Sequence, residues 1–185
     1  MKISKISYAL SMLMAAAGLA AASAAHASDG SITFTGNIIA STCKVSNSGG
    51  GNVAVALPKV GTSTLAAATN TAGRTPFSVM LEGCTTGGDN PTKVGVVFEA
   101  GTNVNSAGRL TLDSGADTAK NVEINVLNDQ QSPIKLGVMG DQGGQFVDIA
   151  EDGKATLNYF AEYYATGAAT AGKANSKVQY SLTYQ

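Results

Sequence analysis

The sequence predicts an all-β fold, a sandwich of immunoglobulin type, and three observations carry that expectation. Apolar residues recur at period two in a series of short runs, each closed by a turn rich in Gly, Asn, Ser or Pro. The 185 residues include 22 glycines and no tryptophan, and abundant Thr, Ser and Val favour strands over helices. Two cysteines stand downstream of an export signal, where a single bridge is the usual outcome. Several short strands, the turns between them and one bridge describe such a sandwich.

The first element is a leader. Lys2 and Lys5 precede an apolar stretch over 9–22, which ends in Ala25-His26-Ala27. A positive start, a short apolar centre and a small-x-small end define a secretory signal peptide over 1–27, and the Ala-rich run is short for a membrane span. The alternative is an uncleaved N-terminal helix at the inner membrane. Removing 27 of the 185 residues leaves 158, enough for one domain with a real core. Loss of Lys2 and Lys5 takes the 12 basic residues to 10 against 13 acidic ones, a net charge of −3. The single histidine, His26, leaves with the leader.

Strands follow from alternation. Residues 30–36 put Gly30, Ile32 and Phe34 on one face and Ser31, Thr33 and Thr35 on the other. A second extended segment runs over 38–45 and contains Cys43, before a turn-forming run at 46–52. A strand over 53–57 stops at Pro58. Leu65-Ala66-Ala67-Ala68 suggests a short helix within 62–71, against the grain of its threonines. Strands resume over 75–83 (Phe77, Val79 and Leu81 inward, leading to Cys84) and 93–100 (Val94, Val96, Phe98). Shorter pieces follow at 110–112, 121–127 (Val122, Ile124, Val126) and 134–138. The long segment 155–166 alternates Leu157, Tyr159, Ala161 and Tyr163 inward, and the last, 178–185, presents Val178, Tyr180, Leu182 and Tyr184 on its apolar face. A Cys43–Cys84 bridge encloses 40 residues (44–83) and stabilises by roughly 4 kcal/mol on the chain-entropy model. Two free buried thiols are the alternative.

The two ends belong together. Soluble proteins block a free strand edge with Lys, Pro or a bulge, and nothing of that kind stands between Val178 and Tyr184. The alternating segment Gly30 to Phe34 precedes the first bridged strand and is free to leave its own domain. Mutual completion between copies by strand addition is the physical expectation.

These residues resemble the major subunits of type 1-like fimbriae, built by the chaperone–usher route. The matching elements are Gly30-x-Ile32-x-Phe34-x-Gly36 ahead of Cys43, the second cysteine Cys84, the run Tyr163-Tyr164-Ala165-Thr166-Gly167 continuing to Asn175, and Val178-Gln179-Tyr180 with a penultimate Tyr184. The resemblance implies an incomplete immunoglobulin-like β-sandwich lacking its last strand, completed by a donor strand from a neighbouring subunit. It implies three parts: the signal peptide 1–27, a donor-strand extension 28–36 and a pilin domain 37–185. Gly30, Ile32 and Phe34 would enter the neighbour's groove, and Val178, Tyr180, Leu182 and Tyr184 would line the acceptor edge. The implied partners are identical or related pilin subunits, a periplasmic chaperone and an outer-membrane usher. Only Ser28 and Asp29 precede Gly30, a short lead for such an extension.

Other functions find little support. With no histidine after the leader and both cysteines bridged, Ser-His-Asp, Cys-His and His-zinc arrangements are unavailable, and no enzyme, metal or cofactor is expected. Asp113, Asp117, Asp129, Asp141, Asp148 and Asp152 lack calcium-loop spacing and read as solvated turn residues. Gly49-Gly50-Gly51 precedes no Lys-Ser/Thr pair and is no phosphate loop. A weakly acidic chain without like-charge runs offers no footprint for nucleic acid. The competing readings are a minor adaptor subunit and a monomeric secreted module that binds glycan or protein.

Overall fold

The computed structural model describes residues 30–36, 38–39, 43–47, 49–138, 142 and 145–185. The expected leader, Ser28, Asp29 and Asp141 lie outside the described residues. Residues Ile39–Gln185 form one compact unit.

Among the described residues this unit has eight strands: β1 Lys44–Val45, β2 Thr71–Glu82, β3 Lys93–Phe98, β4 Leu110–Thr111, β5 Val122–Leu127, β6 Phe146–Asp148, β7 Ala155–Ala165 and β8 Tyr180–Tyr184. They make a five-stranded sheet, in the order β1-β2-β7-β5-β4, and a three-stranded sheet, β6-β3-β8. Every pairing between strands is antiparallel. The fold is the immunoglobulin-like sandwich that the alternation predicts.

The strand parities explain the core. Val79 and Leu81 of β2, Leu157, Tyr159 and Ala161 of β7, and Ile124 and Val126 of β5 are buried, facing Val94, Val96 and Phe98 of β3. Each large aliphatic or aromatic side chain removed from water contributes about 1.5–3 kcal/mol. Tyr159 lies at the centre, stacked on Phe77 at 5.5 Å and meeting the edge of Phe98 at 5.3 Å. Cys43 and Cys84 are joined by the expected disulfide, which ties β1 to the end of β2.

Five differences from the expected elements stand out. Residues 53–57 form no strand, because no neighbouring chain segment offers them a ladder. Residues 134–138 form none either, although Ile134 and Leu136 are buried. Their main-chain bonds go to three separate places, Ile134 N–H to Val126, Leu136 N–H to Gly108 and Gly137 N–H to Phe98, so the segment plugs the sandwich without extending a sheet. The suggested helix is a single 3₁₀ turn, Thr62–Leu65, held by the burial of Leu65. Strand β6 carries no readable alternation in its three residues and exists because Lys93, Val94 and Gly95 pair with it. The extended segment 38–45 contributes only Lys44–Val45 as strand among its described residues.

Candidate functional site

The open feature of the sandwich is a groove between two extended segments. One wall is residues 52–62; the other is residues 174–180, leading into β8. At one end the floor is the core itself, with Phe77, Phe98, Leu110, Ile124, Val126 and Ala161 lining a cleft of about 340 Å³. At the other end, between Lys59–Thr62 and 169–175, the cleft widens to about 680 Å³ over Leu65, Val122 and Tyr163.

Both walls have main chain to offer. Among the described residues, none of residues 53–60 takes part in a hydrogen bond, and neither does Lys177 or Val178. Eight consecutive residues without a bond, most of them exposed, leave a run of main-chain donors and acceptors available to an added strand, Pro58 alone lacking an N–H. The second wall continues into β8, which is the edge strand of its sheet. Lys93 and Gln185 exchange main-chain bonds, and Glu99 N–H donates to Gln179, so the odd-numbered residues of this strand face β3. By parity the main chain of Val178, Tyr180 and Leu182 faces the groove. Their side chains, with that of Tyr184, pack half-buried against the core.

Local chemistry holds the walls apart. The Tyr180 hydroxyl donates to the Gly51 carbonyl across the narrow end. Burial pushes the phenol pKa of Tyr180 and of Tyr163 upward, so both stay neutral donors at physiological pH. At the wide end Ala119 N–H donates to Lys173 at 2.9 Å and Lys173 N–H donates to Asp117 at 2.6 Å. That approach requires Gly172, where an added Cβ would lie 2.4 Å from the Ala119 nitrogen.

The described N-terminal residues have the complementary character. Gly30, Ile32 and Phe34 belong to no strand, contrary to the alternation, since a strand exists only when something pairs with it. Ile32 is 83% and Phe34 88% exposed, unusual for large apolar side chains. The same even-numbered face continues through Gly36 to Ile38, which is 104% exposed. Ile38 escaped the sequence reading because it was counted with the following segment; its parity with Ile32 and Phe34 was the available signal. Of the four predicted acceptor residues, Val178 and Tyr180 line the groove, while Leu182 and Tyr184 lie further along β8 on the same core-facing side. The three predicted donor residues stand exposed, with Ile38 added to their face.

The aspartates serve local roles. Asp148 pairs with Lys93 at 3.0 Å, Asp152 with Lys154 at 2.8 Å and Asp117 with Lys173 at 3.5 Å. Asp113 accepts from the Asn103 side chain.

Comparison with known proteins gives consistent matches. Residues 57–185 match the family model described as "FimA: Type-1 fimbrial protein, A". The chain is 44% identical over 170 residues to the major fimbrial subunit SMF-1 of Stenotrophomonas maltophilia, covering 89% of this chain and 98% of that one. It is 40% identical over 189 residues to the F17 fimbrial protein of Escherichia coli, covering 98% and 99%. Among solved structures, a chaperone–usher pilus subunit superposes with a TM-score of 0.58 at 19% identity, covering 85% of this chain and 96% of that one, a likeness of fold.

Proposed function

Since the chain belongs to the type-1 fimbrial protein A family and is a structural subunit of a fimbria, we propose that it polymerises by strand exchange into the groove. The observation that carries this reading is the run 53–60, whose main chain makes no hydrogen bond among the described residues and which borders an uncovered apolar floor. One extended strand laid between this run and β8 satisfies both walls and covers the floor together.

The donor is the N-terminal extension 28–36 of a neighbouring subunit, with Gly30, Ile32 and Phe34 turned to the floor and Ile38 continuing the same face. Burying Ile32 and Phe34 contributes about 1.5–3 kcal/mol each, before main-chain bonds. The acceptor edge is Val178, Tyr180, Leu182 and Tyr184. Until a neighbour arrives, the edge strand β8 beside the unbonded run 53–60 invites aggregation. A periplasmic chaperone therefore occupies the groove first, and an outer-membrane usher exchanges it for the incoming extension. The signal peptide 1–27 starts that route and the fibre on the cell surface ends it.

Deleting residues 28–35 tests the reading: the shortened chain should still be captured by its chaperone and should appear in no sheared surface fibre. Normal fibres assembled from it would overturn the proposal. A monomeric binding module would instead persist as a stable monomer when expressed in the periplasm without a chaperone.

A further inference from the structure

Along the other edges of the sandwich, at two places among the described residues, a side-chain amide stands where a neighbouring strand's main chain would lie. Strand β1 pairs with β2 at Leu81 and Glu82, and Ser46 N–H carries the cover on to the Met80 carbonyl at 2.8 Å. Beyond it, Asn47 takes over: its Nδ2 donates to the Ser78 carbonyl at 2.8 Å and its Oδ1 accepts from the Met80 N–H at 3.0 Å. Two residues further, the same edge reaches Pro76, which has no N–H to offer. On the other sheet, β6 covers β3 from Lys93 to Gly95. Past its end Gln142 does the same work at Phe98, accepting from its N–H at 2.7 Å and donating at 2.7 Å to its carbonyl, which also accepts from Gly137 N–H at 3.1 Å. The edge of β4 is closed by main chain, through Thr111 N–H to Asn103 and Asn105 N–H to Arg109.

We infer that Asn47 and Gln142 are specificity-determining residues for assembly: by mimicking a ladder partner they keep an incoming strand off β2 and β3 and so favour the groove. The inference rests on the strand-exchange reading above. An incoming apolar strand carries no instruction about which edge to join, because the main-chain bonds it makes are alike everywhere. A primary amide suits the capping role, since it presents one donor and one acceptor with the spacing of a peptide group. Each cap satisfies a donor and an acceptor on the strand it covers, and neither contributes to the floor or walls of the groove. Edge protection usually takes the form of a charge, a proline or a bulge; here an uncharged amide keeps the edge closed without repelling the neighbour that must pack nearby.

The test counts strands per subunit. The full mature chain, oxidised, is mixed with an excess of a synthetic peptide of residues 28–39 and weighed by native mass spectrometry. Wild type should take one peptide. The double variant Asn47→Ala, Gln142→Ala should hold additional peptides, with the population of two-peptide complexes raised by about tenfold for the hydrogen bonds each cap no longer makes. A double variant with native circular dichroism that takes one peptide, as wild type does, overturns the inference. If the alanine variants lose their β signal, Asn47→Leu and Gln142→Met decide by the same count, since they keep the bulk and remove both donor and acceptor without adding a charge. A wild-type chain that takes no peptide counts against the groove reading instead, and extra peptide on the variant alone would still support the caps.

Discussion

The Tyr180 hydroxyl donates to the Gly51 carbonyl at 2.5 Å, joining the first residue of β8 to the opposite wall of the groove. Gly51 sits in a turn with φ +89, so this carbonyl is aimed by a conformation that suits glycine. Tyr180→Phe removes the bond and keeps the ring against the core. The expected loss is about 1 kcal/mol, read as a lower midpoint in urea denaturation. An unchanged midpoint would show that the hydroxyl does not hold the wall.

Tyr159→Phe should do the opposite. The Tyr159 ring is 1% exposed and its hydroxyl is the one buried side-chain polar atom without a partner among the described residues. Removing it should stabilise the subunit by about 1 kcal/mol, read as a higher denaturation midpoint.

Alkaline pH gives a second reading of the same residue. Burial, with a smaller contribution from the Asp129 carboxylate, pushes the Tyr159 phenol pKa well above its ordinary value. The folded state therefore holds the neutral form. That stability is complete below the unfolded tyrosine pKa of about 10 and is lost as pH rises beyond it. Denaturation midpoints of wild type should fall above about pH 10, and Tyr159→Phe should fall less steeply. Tyr163 and Tyr180, shifted the same way by burial, keep some slope in the variant.

Replacing Cys43 and Cys84 by Ser should lower stability by about 4 kcal/mol. The bridge closes a 41-residue separation and fixes the two-residue β1 to the end of β2. Equal urea midpoints for the oxidised and double-serine chains would refute this.

Glu162 is 3% exposed and accepts from Arg74 at 2.9 Å and from the Asn125 amide at 3.4 Å. Arg74→Ala leaves the carboxylate with the amide alone and should cost about 2 kcal/mol, less than a fully buried pair because the Arg74 side chain is 42% exposed. Glu162→Gln, which removes the charge along with the pair, should cost less. Thermal melts of the two variants check the order.

Long alternating runs were legible because burial on one face imposes period two: β2, β3, β5, β7 and β8 stand where Phe77 to Leu81, Val94 to Phe98, Val122 to Val126, Leu157 to Tyr163 and Tyr180 to Tyr184 placed them. Tyr180 and Leu182 were readable as edge residues from the same pattern. What was not legible depends on partners distant in sequence. Val53, Val55 and Leu57 alternate as a strand does, yet pair with nothing. Phe146 to Asp148 alternates hardly at all, yet pairs. The caps at Asn47 and Gln142 lie in turn-like sequence, where an amide gives no sign of the main chain it will meet 31 or 44 residues away.

Under the proposed strand exchange, the groove sets more than where a neighbour binds. With one extension to give and one groove to fill, each subunit would be a monomer of functionality two, and its two functional groups would differ in kind. Condensation of such units yields an unbranched thread with a distinct head and tail, whose length is limited only by supply and whose growing end always exposes the same chemistry.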